Sequence, residues 1–223
     1  MTIGDRQNLH ATLADRLSDF IAAPDFPCVG AKSAMAGQNL KILAARDLTS
    51  GWNDLDIHCA LADWARAYRS DPSGLRSLAV IFEGPGDLDE VGFEAALWAR
   101  LQSLADKDAW KGMAYDPRVC ADPDNPHFSL SFGGEAYFVV GLHPHASRPA
   151  RRFERPALIF NLHDQFERLR ADGRYEPMRA RILARDKTFA GYLGQIGRGI
   201  DRKAGDQRQK LRGERQSADG SEA

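Results

Sequence analysis

Two histidines and three arginines crowd into HPHASRPARRF, residues 143 to 153, directly after the apolar run EAYFVVGL. Residue types alone admit three chemistries for this segment. In the first it is a solvated loop at a sheet end, stiffened by Pro144 and Pro149. In the second, His143 and His145 supply two imidazoles to a zinc or non-haem iron centre and an acid from elsewhere completes it. Two ligands do not make a site, and Pro144 between them splays the rings. In the third, imidazole meets a metal centre while planar guanidiniums fork onto the carboxylates or phosphates of an anionic cofactor. A further group of chemical interest is the carboxylate of Glu83, which ends the apolar run LAVIFE ahead of Gly84-Pro85.

The elements that must position these groups follow from periodicity. Leu9, Leu13, Leu17 and Phe20 fall at helical spacing, so residues 7 to 22 form an amphipathic helix that stops before Pro24. PDFPCVGAKSAMAG reads as loop, and LKILAARDL as a short strand in which Leu40, Ile42 and Ala44 alternate. Residues 54 to 69 form a helix burying Leu55, Leu61 or Ala62, Ala65 and Tyr68. SLAVIFEG has strand length and is apolar enough to be buried on both faces. Asp87 opens the next helix with Glu90 in a capping arrangement, and its inner face carries Val91, Ala95, Trp98, Leu101 and Leu104. After the breaker cluster DPDNP, HFSLSF-GG-EAYFVVGL reads as a hairpin whose Gly133-Gly134 turn needs positive φ. ALIFN is a further strand, HDQFERLRADG a helix ending at Gly173, and YEPMRARILARD another. The assembled expectation is α+β: a single domain over residues 1–196, with a mixed or antiparallel sheet of four or five strands covered by helices. Residues 197–223 have almost no apolar side chains and mixed charges, the composition of a disordered tail.

Composition narrows the functional classes. Of 223 residues 43% are apolar, enough for a sizeable core, and the net charge of −1 argues against a nucleic-acid or anionic-membrane partner. No window approaches the roughly eighteen unbroken apolar residues of a membrane helix. The N-terminus is polar and carries Asp5, unlike a secretory signal. Cys28, Cys59 and Cys120 are odd in number and far apart, which fits reduced thiols in the cytoplasm. Phosphate loops, dinucleotide fingerprints, nucleophile elbows, H-E-x-x-H and C-x-x-C are all absent, so redox chemistry would draw electrons from a partner.

FPCVGAKSA, LAVIFEGP, FEAALWARLQSL, the GLHP…SR…RRF block and FNLHDQFERLR together resemble the YqcI/YcgG family, from about residue 20 to residue 186. The resemblance implies a domain of YqcI/YcgG type over residues 1–196. Some members are haem-dependent oxygenases that hydroxylate a guanidine nitrogen of arginine-like molecules in natural-product pathways. It therefore implies haem b, dioxygen as co-substrate, a guanidine or amine substrate and a reductase as external electron donor. After Asp186 the chain departs from the family: KTFAGYLGQIGRGIDRKAG stands where Gly-Ser-Ile-Asn-Pro-like, Gln-Tyr-Ser-Gly-Arg and Trp…Cys-Pro-Phe segments are expected. That departure keeps a non-catalytic haem or small-ligand binding protein as the alternative, beside the His-ligated zinc or non-haem iron enzyme.

Under this resemblance His143, inside the most specific block, is the first-choice axial ligand, and its competing role is a loop histidine holding backbone carbonyls. His163, opening the helix after ALIFNL, is the second choice. Cys28 is the thiolate candidate, against the ordinary role of a small core residue. Arg148, Arg151 and Arg152 are candidates for the propionates, with alternating spacing that aims only some of them at one pocket. Glu83 is the candidate for holding a substrate guanidinium. His145 and His127 are assigned as bystanders, and His58 and His10 receive no role.

Overall fold

The computed structural model describes residues 3–122 and 124–190. Five strands, β1 (Leu40–Asp47), β2 (Ser77–Gly84), β3 (Leu130–Phe132), β4 (Glu135–Leu142) and β5 (Ala157–Leu162), form one open mixed sheet in the order β1-β2-β5-β4-β3. β1 and β2 run parallel, joined by the helical crossover that parallel neighbours require, and the other three pairings are antiparallel. The α+β, single-domain expectation holds. Residues 197–223 lie outside the described residues.

Helices cover both faces. On one face α3 (Asp54–Ser70) and α4 (Glu90–Trp110) bury Leu61, Tyr68, Trp98 and Leu101 against Val80, Phe82, Tyr137 and Phe160. On the other, α1 (Ile3–Ala22) brings Leu13, Leu17 and Ile21, and the segment leading to α2 (Val29–Ala36) brings Phe26, to Ala79, Ile81 and Ala157. β2 lies inside the sheet between β1 and β5, so Leu78 through Phe82 are all buried whichever way they point, as the unbroken apolar run predicts. The described residues end with α5 (His163–Ala171) and α6 (Tyr175–Ala190).

Three local expectations are corrected. The segment read as loop after Pro27 contains α2: its two glycines mask an Ala-rich turn whose Cys28 sulfur accepts the Ala31 N–H at 3.4 Å. Packing on the second core, not propensity, holds so short a helix. α4 starts at Glu90, because Asp89 rather than Asp87 accepts from the Gly92 N–H at 2.7 Å. Its phase is set by Phe93, so Val91 is 72% exposed and Ala95 also faces out. In α3, Leu55 is 51% exposed because Asp54 takes the inward position and pairs with buried Arg100.

The hairpin turn is glycine for two reasons. Gly133 has φ +61°, and a Cβ there would lie 2.7 Å from Ala62 Cα of α3. Gly141 near the end of β4 is a different case: a Cβ would meet Leu97 and the Phe93 ring at 2.7 Å. Its absence lets Phe93 lie close over the strand just before His143.

Candidate functional site

α5 begins where β5 ends, and Gln165 fixes that junction. Its side chain accepts the Arg76 N–H at 2.7 Å and donates to the Arg76 carbonyl at 3.1 Å, tying the first turn to the start of β2. His163, Phe166, Glu167 and Arg170 then fall at i, i+3, i+4 and i+7, one face of the helix. That face, the β3–β4 edge and residues 116–119 and 126–129 line an open cavity of about 560 Å³. Phe128, Leu130, Phe138, Val139, Phe166 and Tyr175 supply apolar wall. Phe166 stands edge-on to both Phe138 and Tyr175, with ring centres 6.5 Å apart in each case. His163 and His127 both line the space. His163 Nε2 lies 3.3 Å from Glu167 Oε1, and Arg170 pairs with Glu167 while its guanidinium sits 4.3 Å over the Tyr175 ring.

One wall is an ionic clamp. Arg118 reaches Asp116 at 2.7 Å, Glu135 at 2.5 Å and Asp164 at 2.9 Å, joining the loop, β4 and α5. Asp116 and Glu135 are buried, and Asp116 also accepts the Ala136 N–H at 2.8 Å. Burial alone would raise the Asp116 carboxyl, but hydrogen bonds from Arg118 and Ala136 and the Arg118 charge outweigh it and hold the group below its ordinary range. Asp164 is treated the same way: burial opposes ionisation, while Tyr68, Arg168 and Arg118 more than offset it. The Tyr68 hydroxyl donates to Asp164 at 2.7 Å, and burial plus that carboxylate push the phenol well above its usual range.

The other candidates from the sequence lie elsewhere. His143 follows β4 at the far end of the β4–β5 ladder from His163, separated by about 20 Å, the length of the intervening strand. It is 3% exposed and stacked on Phe93 at 4.3 Å, with its Nδ1 buried and without a hydrogen-bond partner. His145 is exposed. Glu83 also lies at that end, where one carboxylate oxygen meets both Arg6 and His10 at 2.9 Å. Arg152 braces the loop by donating to the carbonyls of Ala146 at 2.7 Å and Ser147 at 3.3 Å. Cys28 packs against the α1–α2 core, where burial raises its thiol despite the N–H groups of Ala31 and Gly30. His58 is fully buried and bonds Asp108 at 2.6 Å between α3 and α4. Among the described residues no three His, Cys, Asp or Glu side chains converge as metal ligands.

The fold thus splits the sequence candidates into two ends and brings to the cavity groups that residue types did not single out. Arg118, Asp164, Arg170, Phe138 and Tyr175 belong to this set. The spacing of His163, Phe166, Glu167 and Arg170 carried a legible signal, a mixed polar and aromatic helix face. Arg118 carried none beyond its neighbour Asp116, since its other two partners are 17 and 46 residues away.

A model of the YqcI/YcgG family matches residues 17–194. The chain belongs to that family. It is 28% identical over 184 residues to the uncharacterized protein YqcI of Bacillus subtilis (strain 168), covering 78% of this chain and 71% of that one. No solved structure matches. No described helix is long and apolar enough to cross a membrane.

Proposed function

We propose that this chain is a haem-dependent oxygenase that hydroxylates a guanidine or amine nitrogen of an arginine-like small molecule, and that the cavity between β4 and α5 is where cofactor and substrate meet. The observation that carries the reading is the aromatic-walled cavity of about 560 Å³ with two imidazoles on its lining. Its donor set fits haem b: nitrogen ligands on His163 and His127, flat apolar walls, and a guanidinium on Arg170 suited to a propionate. His163 is the better-placed ligand, because it sits on a helix pinned by Gln165 whereas His127 is exposed on a loop. Bound there, haem supplies the activation of dioxygen, with electrons from an external reductase.

The chain's own residues do the rest. Phe138, Phe166 and Tyr175 exclude water from the inner wall. Glu167 Oε1, 3.3 Å from His163 Nε2, biases the orientation of the ring electrostatically. Asp164 and Glu167 give a cationic substrate a favourable potential, and Arg118 held among three carboxylates illustrates how this wall accommodates a guanidinium. The cavity favours His163 over His143 as the iron ligand.

Aerobic incubation of haem-loaded protein with arginine, a reductant and a ferredoxin-type reductase tests the activity. A product gaining one oxygen, absent without reductant, is expected. A folded, haem-loaded protein that turns over neither arginine nor related guanidines would overturn the enzymatic reading.

A further inference from the structure

The buried contact between His58 and Asp108 sets the spacing of an exposed pair beside it. His58 on α3 meets Asp108 on α4 at 2.6 Å, and the same carboxylate oxygen accepts the Gly133 N–H at 2.9 Å. The two helices are thus held together from within. Cys59 follows His58 in sequence, and Lys111 lies three residues beyond Asp108 as the cap that ends α4. Both are exposed, and the Lys111 Nζ stands 3.5 Å from the Cys59 Sγ, across 52 residues of chain.

The acids of these helices are engaged elsewhere. Asp54 pairs with Arg100 and Lys107, and Asp63, one turn beyond Cys59, meets Arg66 at 3.0 Å. Among the described residues Lys111 makes no ion pair, and its amine is directed to the thiol. The other cysteines differ: Cys28 packs against the α1–α2 core, and the Cys120 sulfur accepts the Asp122 N–H at 3.4 Å. An exposed thiol is open to peroxide, and the sulfenic acid so formed condenses with a neighbouring thiol or nitrogen. Neither α3 nor α4 carries a second cysteine, so the nitrogen of Lys111 is the group placed to resolve it.

We infer that Cys59 and Lys111 form a redox modification site, at which hydrogen peroxide converts the pair into a covalent sulfur–nitrogen cross-link between α3 and the end of α4. The Cys59 sulfur gives up its proton and attacks one peroxide oxygen. The O–O bond breaks, leaving a sulfenic acid and a hydroxide that takes up the thiol proton as water. The Lys111 ammonium then loses a proton, and the neutral amine attacks the sulfur. The S–N bond forms as the S–O bond breaks, and the departing hydroxide is protonated to a second water. Sulfur is oxidised by two electrons and one peroxide is reduced to two waters. Closure asks only that the exposed lysine stem turn, while the buried His58–Asp108 contact stays in place. A dithiol reductant reverses the step, returning thiol and amine as it becomes a disulfide. The site is independent of the haem reading of the cavity.

The full chain is treated with hydrogen peroxide, quenched with an alkylating reagent, and read by intact mass and tryptic peptide mapping. The expected product is about 2 Da lighter than the reduced chain, with the Cys59 and Lys111 peptides joined and no tryptic cut after Lys111. Dithiothreitol restores the mass and both peptides. Closing a loop of 52 residues also raises Tm by about 5–10 °C in the unreduced sample. Lys111→Arg keeps the cation but forms no such link, so its Cys59 accumulates as a sulfenic acid that dimedone traps, and the gain in Tm disappears. Cys120→Ser leaves the cross-link unchanged. Oxidised wild type in which trypsin still cuts after Lys111 while Cys59 proceeds to sulfinic acid would overturn the site. So would a cross-link that survives Lys111→Arg.

Discussion

Arg118→Met tests whether the ionic clamp holds the cavity wall together. The substitution keeps a long apolar stem and removes the cation shared by Asp116, Glu135 and Asp164. Two of those carboxylates are buried, at 1% and 4% exposure, and would be left without their main counter-charge. Breaking a buried pair from one side costs about 3–5 kcal/mol, but the Arg118 side chain is 47% exposed, so water screens part of the loss. About 2–3 kcal/mol is the expected penalty, and for a chain of this size that lowers Tm by about 4–12 °C. The pH dependence identifies the cause. Asp116 and Asp164 have folded pKa values below their ordinary range, so their contribution is complete above the unfolded pKa and disappears as pH falls through the folded one. The difference between wild type and variant is therefore full near neutrality and shrinks as pH drops below the usual carboxylate range. Differential scanning calorimetry across that window measures both quantities. A variant with unchanged Tm near neutrality, or a deficit that persists after the carboxylates protonate, would refute the clamp.

Other perturbations probe the remaining supports. Gly141→Ala forces a methyl to within 2.7 Å of Phe93 and Leu97, so chemical denaturation should show a loss of about 1–3 kcal/mol, together with altered NMR shifts for the His143 ring. Arg100→Met leaves Asp54, 1% exposed, facing only Lys107 and Ser103, and a urea titration should show a loss of about 3–5 kcal/mol. With a thiol reagent under native conditions, exposed Cys59 should react first and Cys28 last, since burial raises the Cys28 thiol; peptide mapping after timed quenching gives the order.

The sheet was legible because its strands differ in kind. The unbroken apolar run of β2 announces a strand buried on both faces, and a Gly-Gly turn between apolar segments announces the β3–β4 hairpin. Helix phase was less so. Asp54 and Arg100 occupy inward positions that polarity assigns to solvent, and only their mutual pairing across α3 and α4 makes burial tolerable. α2 was hidden because Gly30 and Gly37 resemble loop punctuation, while the packing that stabilises it is non-local. The candidate site was half legible. The histidines and arginines of two motifs stand out by type, but nothing local says that β4 and β5 run antiparallel and so place His143 and His163 at opposite ends. Residues of the segment around Asp116 and Arg118 join the site through the β3–β4 edge, a relation that no spacing along the chain encodes.

The most direct test is haem reconstitution of the wild-type chain, His163→Ala and His143→Ala, followed by absorption spectra of the ferrous carbon monoxide complexes. The expected result is a Soret band at about 420 nm in wild type, retained in His143→Ala and lost or strongly weakened in His163→Ala. A band at about 450 nm would indicate thiolate ligation and move the ligand to a cysteine. No band in wild type, or a band lost only in His143→Ala with the fold intact, would contradict the assignment of the cavity as the haem site.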